Sequence, residues 1–135
     1  MLYEPKARQF TPIPDVCTTL EHNQFGPDDY LYFGAAGVVL WIDTPTFLKT
    51  KNPEQSQGWC PAVVDVNADG KITEWTEPEA PIDPAKDARV DIGCYQVAVD
   101  HKNMNGVSWC GDGERLTRIE RGPDPPRSCR AQVFK

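Results

Sequence analysis

The sequence predicts an all-β chain of short antiparallel strands, and three observations carry that prediction. Segments rich in β-branched and aromatic residues recur along the chain, turn-forming residues separate them, and 13 Pro with 10 Gly leave little room for long helices. No segment carries a sustained helical stripe.

Read in order, the predicted strands are Gln9 to Ile13, Tyr30 to Phe33, Val38 to Ile42, Ala62 to Asp65, Lys71 to Trp75, Tyr95 to Val99, Val107 to Cys110, Leu116 to Glu120 and Ala131 to Phe134. Tyr3-Glu4-Pro5 is already strand-like. The punctuation is Gly26-Pro27-Asp28-Asp29, Gly34 to Gly37, Asn67 to Gly70, Asn103 to Gly106 and Gly111-Asp112-Gly113, the spacing of antiparallel meanders. Thr44 to Thr50 is expected to form one helical turn after Pro45, and Pro84 to Arg89 another.

The chain also repeats itself in pattern. Gln24-Phe25, a turn, Tyr32-Phe33-Gly34, a turn and Leu40-Trp41-Ile42 run in the same order as Gln96-Val97, a turn, Trp109-Cys110-Gly111, a turn and Leu116 to Ile119. Each unit is followed by a strand that carries a cysteine, Cys60-Pro61-Ala62-Val63-Val64 in one case and Cys129-Arg130-Ala131-Gln132-Val133 in the other. The copies stand roughly 70 to 77 residues apart, longer than a bare propeller blade of about 40 to 50. The excess is assigned to the polar, Pro-rich stretches Asn52 to Gly58 and Glu77 to Asp87. The expected organisation is therefore one β domain over 1–135, with one four-stranded blade at about 8–75, a linker at 77–87 and a second blade at 88–135. Two blades do not close a ring, so self-association, or docking to further blades or another subunit, is expected.

A chain of 135 residues with 39% hydrophobic and 10% aromatic residues has enough apolar side chains for a modest core. The net charge of -6 argues against a nucleic-acid partner, whose phosphates need Lys and Arg. No apolar run reaches the roughly 20 residues of a membrane helix, so membrane insertion is not expected, and the opening MLYEPKARQF lacks a secretory apolar stretch. Five cysteines, Cys17, Cys60, Cys94, Cys110 and Cys129, leave at least one free or paired between chains, and none forms a C-x-x-C pair. They read as small buried apolar residues in strands rather than as a disulfide framework.

The clearest local motif runs from Asp65 to Thr73. Asp65, Asn67 and Asp69 place oxygen ligands at positions 1, 3 and 5 of a calcium loop, with Gly70 at 6, the Lys71 carbonyl at 7 and Ile72 at 8. Position 12 is Thr76, so Glu74 or Glu77 would have to reach in, or water and another loop would complete the shell. The candidate ligands are Asp65, Asn67, Asp69, Lys71, Thr73 and Glu74, and Ca2+ is the only cofactor expected. The competing reading is a plain hairpin in which Val63-Val64 pairs with Ile72-Thr73 across an Asn-Ala-Asp-Gly turn. His22 is the one candidate catalytic residue, at the start of an apparent inner strand, while His101 is expected to face solvent. Trp41, Trp59, Trp75 and Trp109 with Tyr30, Tyr32 and Tyr95 would supply either core packing or an aromatic platform for sugars or peptides. No G-x-S-x-G, P-loop, H-E-x-x-H or dinucleotide fingerprint is present.

The succession FGAAGVVLWIDTPTF (Phe33 to Phe47), SQGWCPAVVDVNADGKITEW (Ser56 to Trp75) and PIDPAKDARV (Pro81 to Val90), followed by CYQVAVD and LTRIERGPDPP, resembles bacterial repeat proteins related to the streptogramin (virginiamycin B) lyase propellers. The resemblance implies a six- or seven-bladed ring, often exported, with ligands at a central channel. It also implies, for an enzyme, a carbon-oxygen lyase with a His base and a carboxylate-bound magnesium. The expected function is a non-catalytic, propeller-type binding or assembly module with calcium as a candidate stabiliser, in an extracytoplasmic location. The alternatives are a streptogramin-lyase-like subunit and a stand-alone calcium-binding β domain.

Overall fold

The computed structural model describes residues 1–14, 22–35, 37–72, 81–90, 96–103, 106–111 and 114–135. The chain is all-β, with four antiparallel sheets of two to four strands and none of them closed. Strands β1 (Leu2–Glu4) and β2 (Gln9–Thr11) form an N-terminal hairpin. The strands β3 (Asn23–Phe25), β4 (Tyr30–Ala35), β5 (Val38–Asp43) and β6 (Gln57–Pro61) form a four-stranded meander in chain order. After a two-stranded ladder of β7 (Val63–Asp65) and β8 (Asp87–Arg89), a second meander follows in chain order from β9 (Val97–Val99), β10 (Val107–Gly111), β11 (Leu116–Glu120) and β12 (Arg130–Phe134). The pattern repeat thus becomes two blade-like sheets of identical strand order.

The period-two alternation of strands assigns their faces. In the first sheet Tyr32 lies opposite Trp41, and Val39 opposite Cys60. All four turn inward and join Val97, Val99, Cys110, Ile119 and Ala131 of the second meander in one buried cluster. The other face of the first sheet is apolar as well: Phe33, Ala35, Val38, Leu40 and Ile42 pack with Phe47, and Ile13, Leu31 and Trp59 lean on them. Strands β4 and β5 therefore read as nearly continuous apolar runs, YLYFGA and VVLWID, as expected of strands covered on both sides. The outward face of the second sheet is mixed, carrying Trp109, Leu116 and Phe134 beside the Arg118–Glu120 ion pair at 3.0 Å.

Two short helices interrupt the first meander. In α1 (Thr44–Thr50) the Asp43 carboxylate accepts the Thr46 N–H at 2.9 Å, Pro45 occupies the first turn and Lys51 closes the helix in the left-handed conformation. Helix α2 (Pro53–Ser56) is capped in the same way by Asn52, whose Oδ1 accepts the Glu54 N–H at 2.9 Å. The stretch Asn52 to Gly58, expected to be an insertion, instead supplies α2 and the start of β6. Its polar composition conceals the strand because Gly58 lies under Trp41, where an added Cβ would stand 2.4 Å from Trp41 Cζ2.

Three further expectations change. Asp87 to Arg89 is strand, because the turn at Pro84 to Lys86 closes with Lys86 and Asp87 N–H groups on the Asp83 carbonyl and does not continue as helix. Lys71 and Ile72 are not strand, and β7 pairs with β8, Val64 opposite Ala88, rather than with Ile72 as the plain-hairpin reading expected. The cysteines are not simply apolar packing. Cys60 and Cys129 form a disulfide across 69 positions with Cα atoms 5.7 Å apart, and Cys110 is disulfide-bonded too. Cys17, Cys94, Trp75 and Tyr95 lie outside the described residues.

The two meanders meet along their first strands. Gln24 on β3 receives the Val99 N–H of β9 on its Oε1 at 2.9 Å, and its Nε2 lies 3.1 Å from His101 Nε2. No helix among the described residues is long and apolar enough to cross a membrane.

Candidate functional site

The densest meeting of charged and aromatic side chains centres on Arg121, immediately after β11. Its guanidinium carbon sits 4.2 Å from the centroid of the Tyr30 ring and 5.6 Å from that of Trp41, and its Nη2 pairs with Asp28 Oδ2 at 3.2 Å. The Tyr32 hydroxyl donates to the same Asp28 oxygen at 2.7 Å. Tyr30, one strand position pair away, donates its hydroxyl to Asp43 Oδ2 at 2.8 Å. Asp43 Oδ2 also accepts the Thr46 hydroxyl at 2.7 Å, so one carboxylate both starts α1 and anchors Tyr30.

Local sequence explains each placement. Tyr30 and Tyr32 alternate onto the inward face of β4, and Asp43 lies opposite Tyr30 in the β4–β5 register. Asp28 sits in the β3–β4 turn, where its Oδ1 also accepts the Tyr30 N–H at 3.3 Å. Arg121 reaches them because β11 belongs to the sheet stacked on this face.

The electrostatics follow from burial and partners. Burial raises the Tyr32 hydroxyl far above the ordinary tyrosine value, reinforced by its hydrogen bond to Asp28. Burial and the Asp43 bond raise Tyr30 as well. For Asp43, burial pulls upward but is outweighed by the Thr46 N–H, the Thr46 and Tyr30 hydroxyls and the Arg121 charge, so its carboxyl lies below the usual range. At neutral pH the cluster is one carboxylate–guanidinium pair, two neutral phenols and one further, fully hydrogen-bonded carboxylate.

A cleft of about 390 Å³ opens beside this cluster. Tyr30, Trp41 and Trp59 line it from the first sheet, and Arg121, Pro125 and Pro126 from the segment between β11 and β12. The Cys60–Cys129 bond ties that segment to β6, with Cys129 Sγ 4.0 Å from the Trp59 carbonyl oxygen. A separate, largely apolar cavity of about 410 Å³ lies between the N-terminal hairpin and the outward face of the first sheet, among Leu2, Phe25, Leu31, Leu40 and Ile42.

The calcium-loop residues are only partly described. Asp65 Oδ2 accepts the Gly70 N–H at 2.8 Å, Asn67 Oδ1 accepts the Asp69 N–H at 3.3 Å, and Asp69 Oδ1 accepts the Lys71 N–H at 2.8 Å. Gly70 adopts φ of 78°, and its carbonyl accepts a hydrogen bond from Arg130 Nη2. The Lys71 and Asn67 bonds hold the exposed Asp69 carboxyl below its ordinary value. Asp65 Oδ1 is buried and accepts no hydrogen bond among the described residues. Thr73 and Glu74 lie outside the described residues, and among the described residues no group of three or more His, Cys, Asp or Glu is placed to hold a metal ion. His22 is exposed just before β3, and its carbonyl accepts the Gly34 N–H at 3.4 Å.

Of the aromatic residues singled out from sequence, Tyr30, Tyr32 and Trp41 meet at or beside the cleft, whereas Trp59 packs on the outward face of the first sheet and Trp109 lies 5.7 Å from Phe134 on the far sheet. Arg121, Asp28 and Asp43 carry no motif and were not candidates. The one legible signal was Asp43 before Thr44-Pro45, a helix cap. No protein-family model, no curated protein and no solved structure matches the chain.

Proposed function

We propose that the chain is a non-catalytic binding and assembly module, built as two successive blades of a β-propeller and located outside the cytoplasm. The observation that carries the assembly half is that large apolar side chains stand exposed at both outer ends of the two-sheet stack. Tyr3, Phe10 and Phe25 are exposed at the end of the first sheet, and Leu116 and Phe134 at the end of the second. Terminal units of a repeat stack are normally polar on their outer side, so large apolar side chains exposed there favour a neighbour on each. The strand order of the two meanders, the β3–β9 contact and the sequence resemblance to streptogramin-lyase propellers support the blade reading. The Cys60–Cys129 bond supports an oxidising compartment.

Sedimentation velocity at tens of micromolar tests the assembly half. The expected result is a species heavier than one chain, shifted toward the monomer by Phe25→Lys and by Phe134→Lys, both exposed enough to spare the fold. A monomer that neither substitution changes sinks the assembly reading.

Calcium at Asp65, Asn67 and Asp69 is a second reading, favoured by the buried Asp65 Oδ1 that accepts no hydrogen bond among the described residues. A carboxylate oxygen in that state is costly unless a cation or donor meets it. Melting with excess calcium and with chelator decides the matter: calcium is expected to raise the midpoint, and identical curves would remove the ion.

A further inference from the structure

We infer that the chain binds a second copy of itself head to tail, with the outer face of the second meander on one copy seated against the outer face of the first meander on the next. The inference rests on the assembly half of the reading above and supplies the partner and the direction of assembly.

The two meanders turn opposite faces toward each other. In the sequence repeat, Tyr32-Phe33-Gly34 corresponds to Trp109-Cys110-Gly111. The strand registers agree: Tyr32 lies between Gln24 and Trp41 as Trp109 lies between Ala98 and Arg118. Period-two alternation then gives each sheet one face of the Tyr32 kind and one of the Phe33 kind. The first sheet turns Tyr32 into the shared core, whereas the second turns in Cys110, the counterpart of Phe33. The stack within one chain is therefore heterologous, one kind of face against the other.

One face of each kind is left at the two ends, so the step that stacks the second sheet on the first can be repeated between copies. It sets the Trp109 face of one copy on the Phe33 face of the next, whereas a symmetric pairing would join like faces, a combination the chain itself does not use. Exposure points the same way. Val99 follows Ala98 on β9 as Phe25 follows Gln24 on β3, so the two hold corresponding places. Val99 flanks Gly26 together with Tyr32 and is 7% exposed, while Phe25 is 46% exposed. The equivalent cover for Phe25 is the Trp109 face of another copy. That face carries Trp109 and Phe134, with ring centroids 5.7 Å apart, and Leu116, which lies opposite Phe134. The receiving end offers the cavity of about 410 Å³, lined by Phe25, Leu31, Leu40 and Ile42 with no charged side chain among its lining residues. Arg118, beside Trp109, is already paired with Glu120 at 3.0 Å, so seating the face buries no unpaired charge from this pair.

The test mixes two variants of the full chain and reads sedimentation velocity at tens of micromolar. Phe25→Lys alters only the first-sheet end, and Phe134→Lys only the second-sheet end. Each alone is expected to weaken self-association about tenfold or more, with a melting curve like that of the parent. Mixed one to one, they are expected to recover a species of twice the chain mass and no larger, because the intact second-sheet end of one meets the intact first-sheet end of the other. Leu116→Lys, at the cross-strand neighbour of Phe134, should behave as Phe134→Lys does, and takes its place if Phe134→Lys does not fold. A parent that assembles while the mixture stays monomeric overturns the inference and leaves the assembly reading standing. So does a parent whose assembly one of the two end variants leaves unchanged, the mark of a symmetric pairing. A monomeric parent overturns both.

Discussion

Cys60 on β6 and Cys129 at the threshold of β12 hold corresponding places in the two meanders, and they are bonded to each other. A crosslink between equivalent points of two stacked sheets closes a loop that spans most of the second unit.

That loop is long, with 69 positions between the cysteines, so its opening should release substantial chain entropy in the unfolded state. The Cys60→Ser/Cys129→Ser double variant is expected to lose about 2–4 kcal/mol of stability. Urea denaturation of oxidised protein and double variant measures this. An unchanged midpoint would mean that packing alone joins the sheets.

The Asp28–Arg121 pair is mostly buried, its side chains 9% and 16% exposed. Replacing Arg121 by Met leaves the Asp28 carboxylate without a countercharge, held only by the Tyr32 hydroxyl and the Tyr30 N–H, and a loss of about 3–5 kcal/mol is expected. Tyr32→Phe keeps the ion pair and should cost about 1–2 kcal/mol. A smaller effect for Arg121→Met than for Tyr32→Phe would contradict the pairing described.

Acid and alkali should act on different members of the same cluster. Asp43 is held below its unfolded value, so its contribution is present above about pH 4 and fades as pH falls through the folded value. Tyr30 and Tyr32 are raised, so their contribution is complete below about pH 10 and declines as pH climbs beyond it. Urea midpoints across pH 2–11 are expected to fall at both extremes. Asp43→Asn should flatten the acid limb and Tyr32→Phe the alkaline one, and a limb that persists unchanged in its variant would refute the assignment.

Gly58 is expected to resist substitution. An alanine there would drive its Cβ into the buried Trp41 ring, with three indole atoms inside 3.0 Å, at a cost of about 1–3 kcal/mol. Thermal melting of Gly58→Ala reads this directly, and a variant as stable as the parent would show that Trp41 is free to shift.

Much of the architecture was legible because the strands declare themselves locally. VVLWID and YLYFGA are apolar and β-branched or aromatic, and Asp43-Thr44-Pro45 announces a helix start. Strand β6 was hidden because QGWCP opens on a polar residue and on a glycine whose purpose, room for Trp41, exists only after folding. Strand β8 was hidden because Asp-Ala-Arg has no strand preference, and its pairing with β7 is imposed from outside the segment. The cleft was illegible for a related reason. Asp28 and Arg121 are separated by 93 positions, and neither belongs to a motif, so nothing short of the stacked sheets brings them together. The disulfide was equally long-range: five cysteines admit several pairings, and only the equivalence of two fourth strands selects this one.

Strands β4 and β5 are sealed on both flat sides, by the partner sheet on one and by α1 and the N-terminal segment on the other. Their amides are the ones solvent reaches last. Deuterium should invade this molecule from its rims, taking the hairpin at the start of the chain and the final strand early, and should enter the Tyr30–Asp43 hairpin only when the whole chain opens.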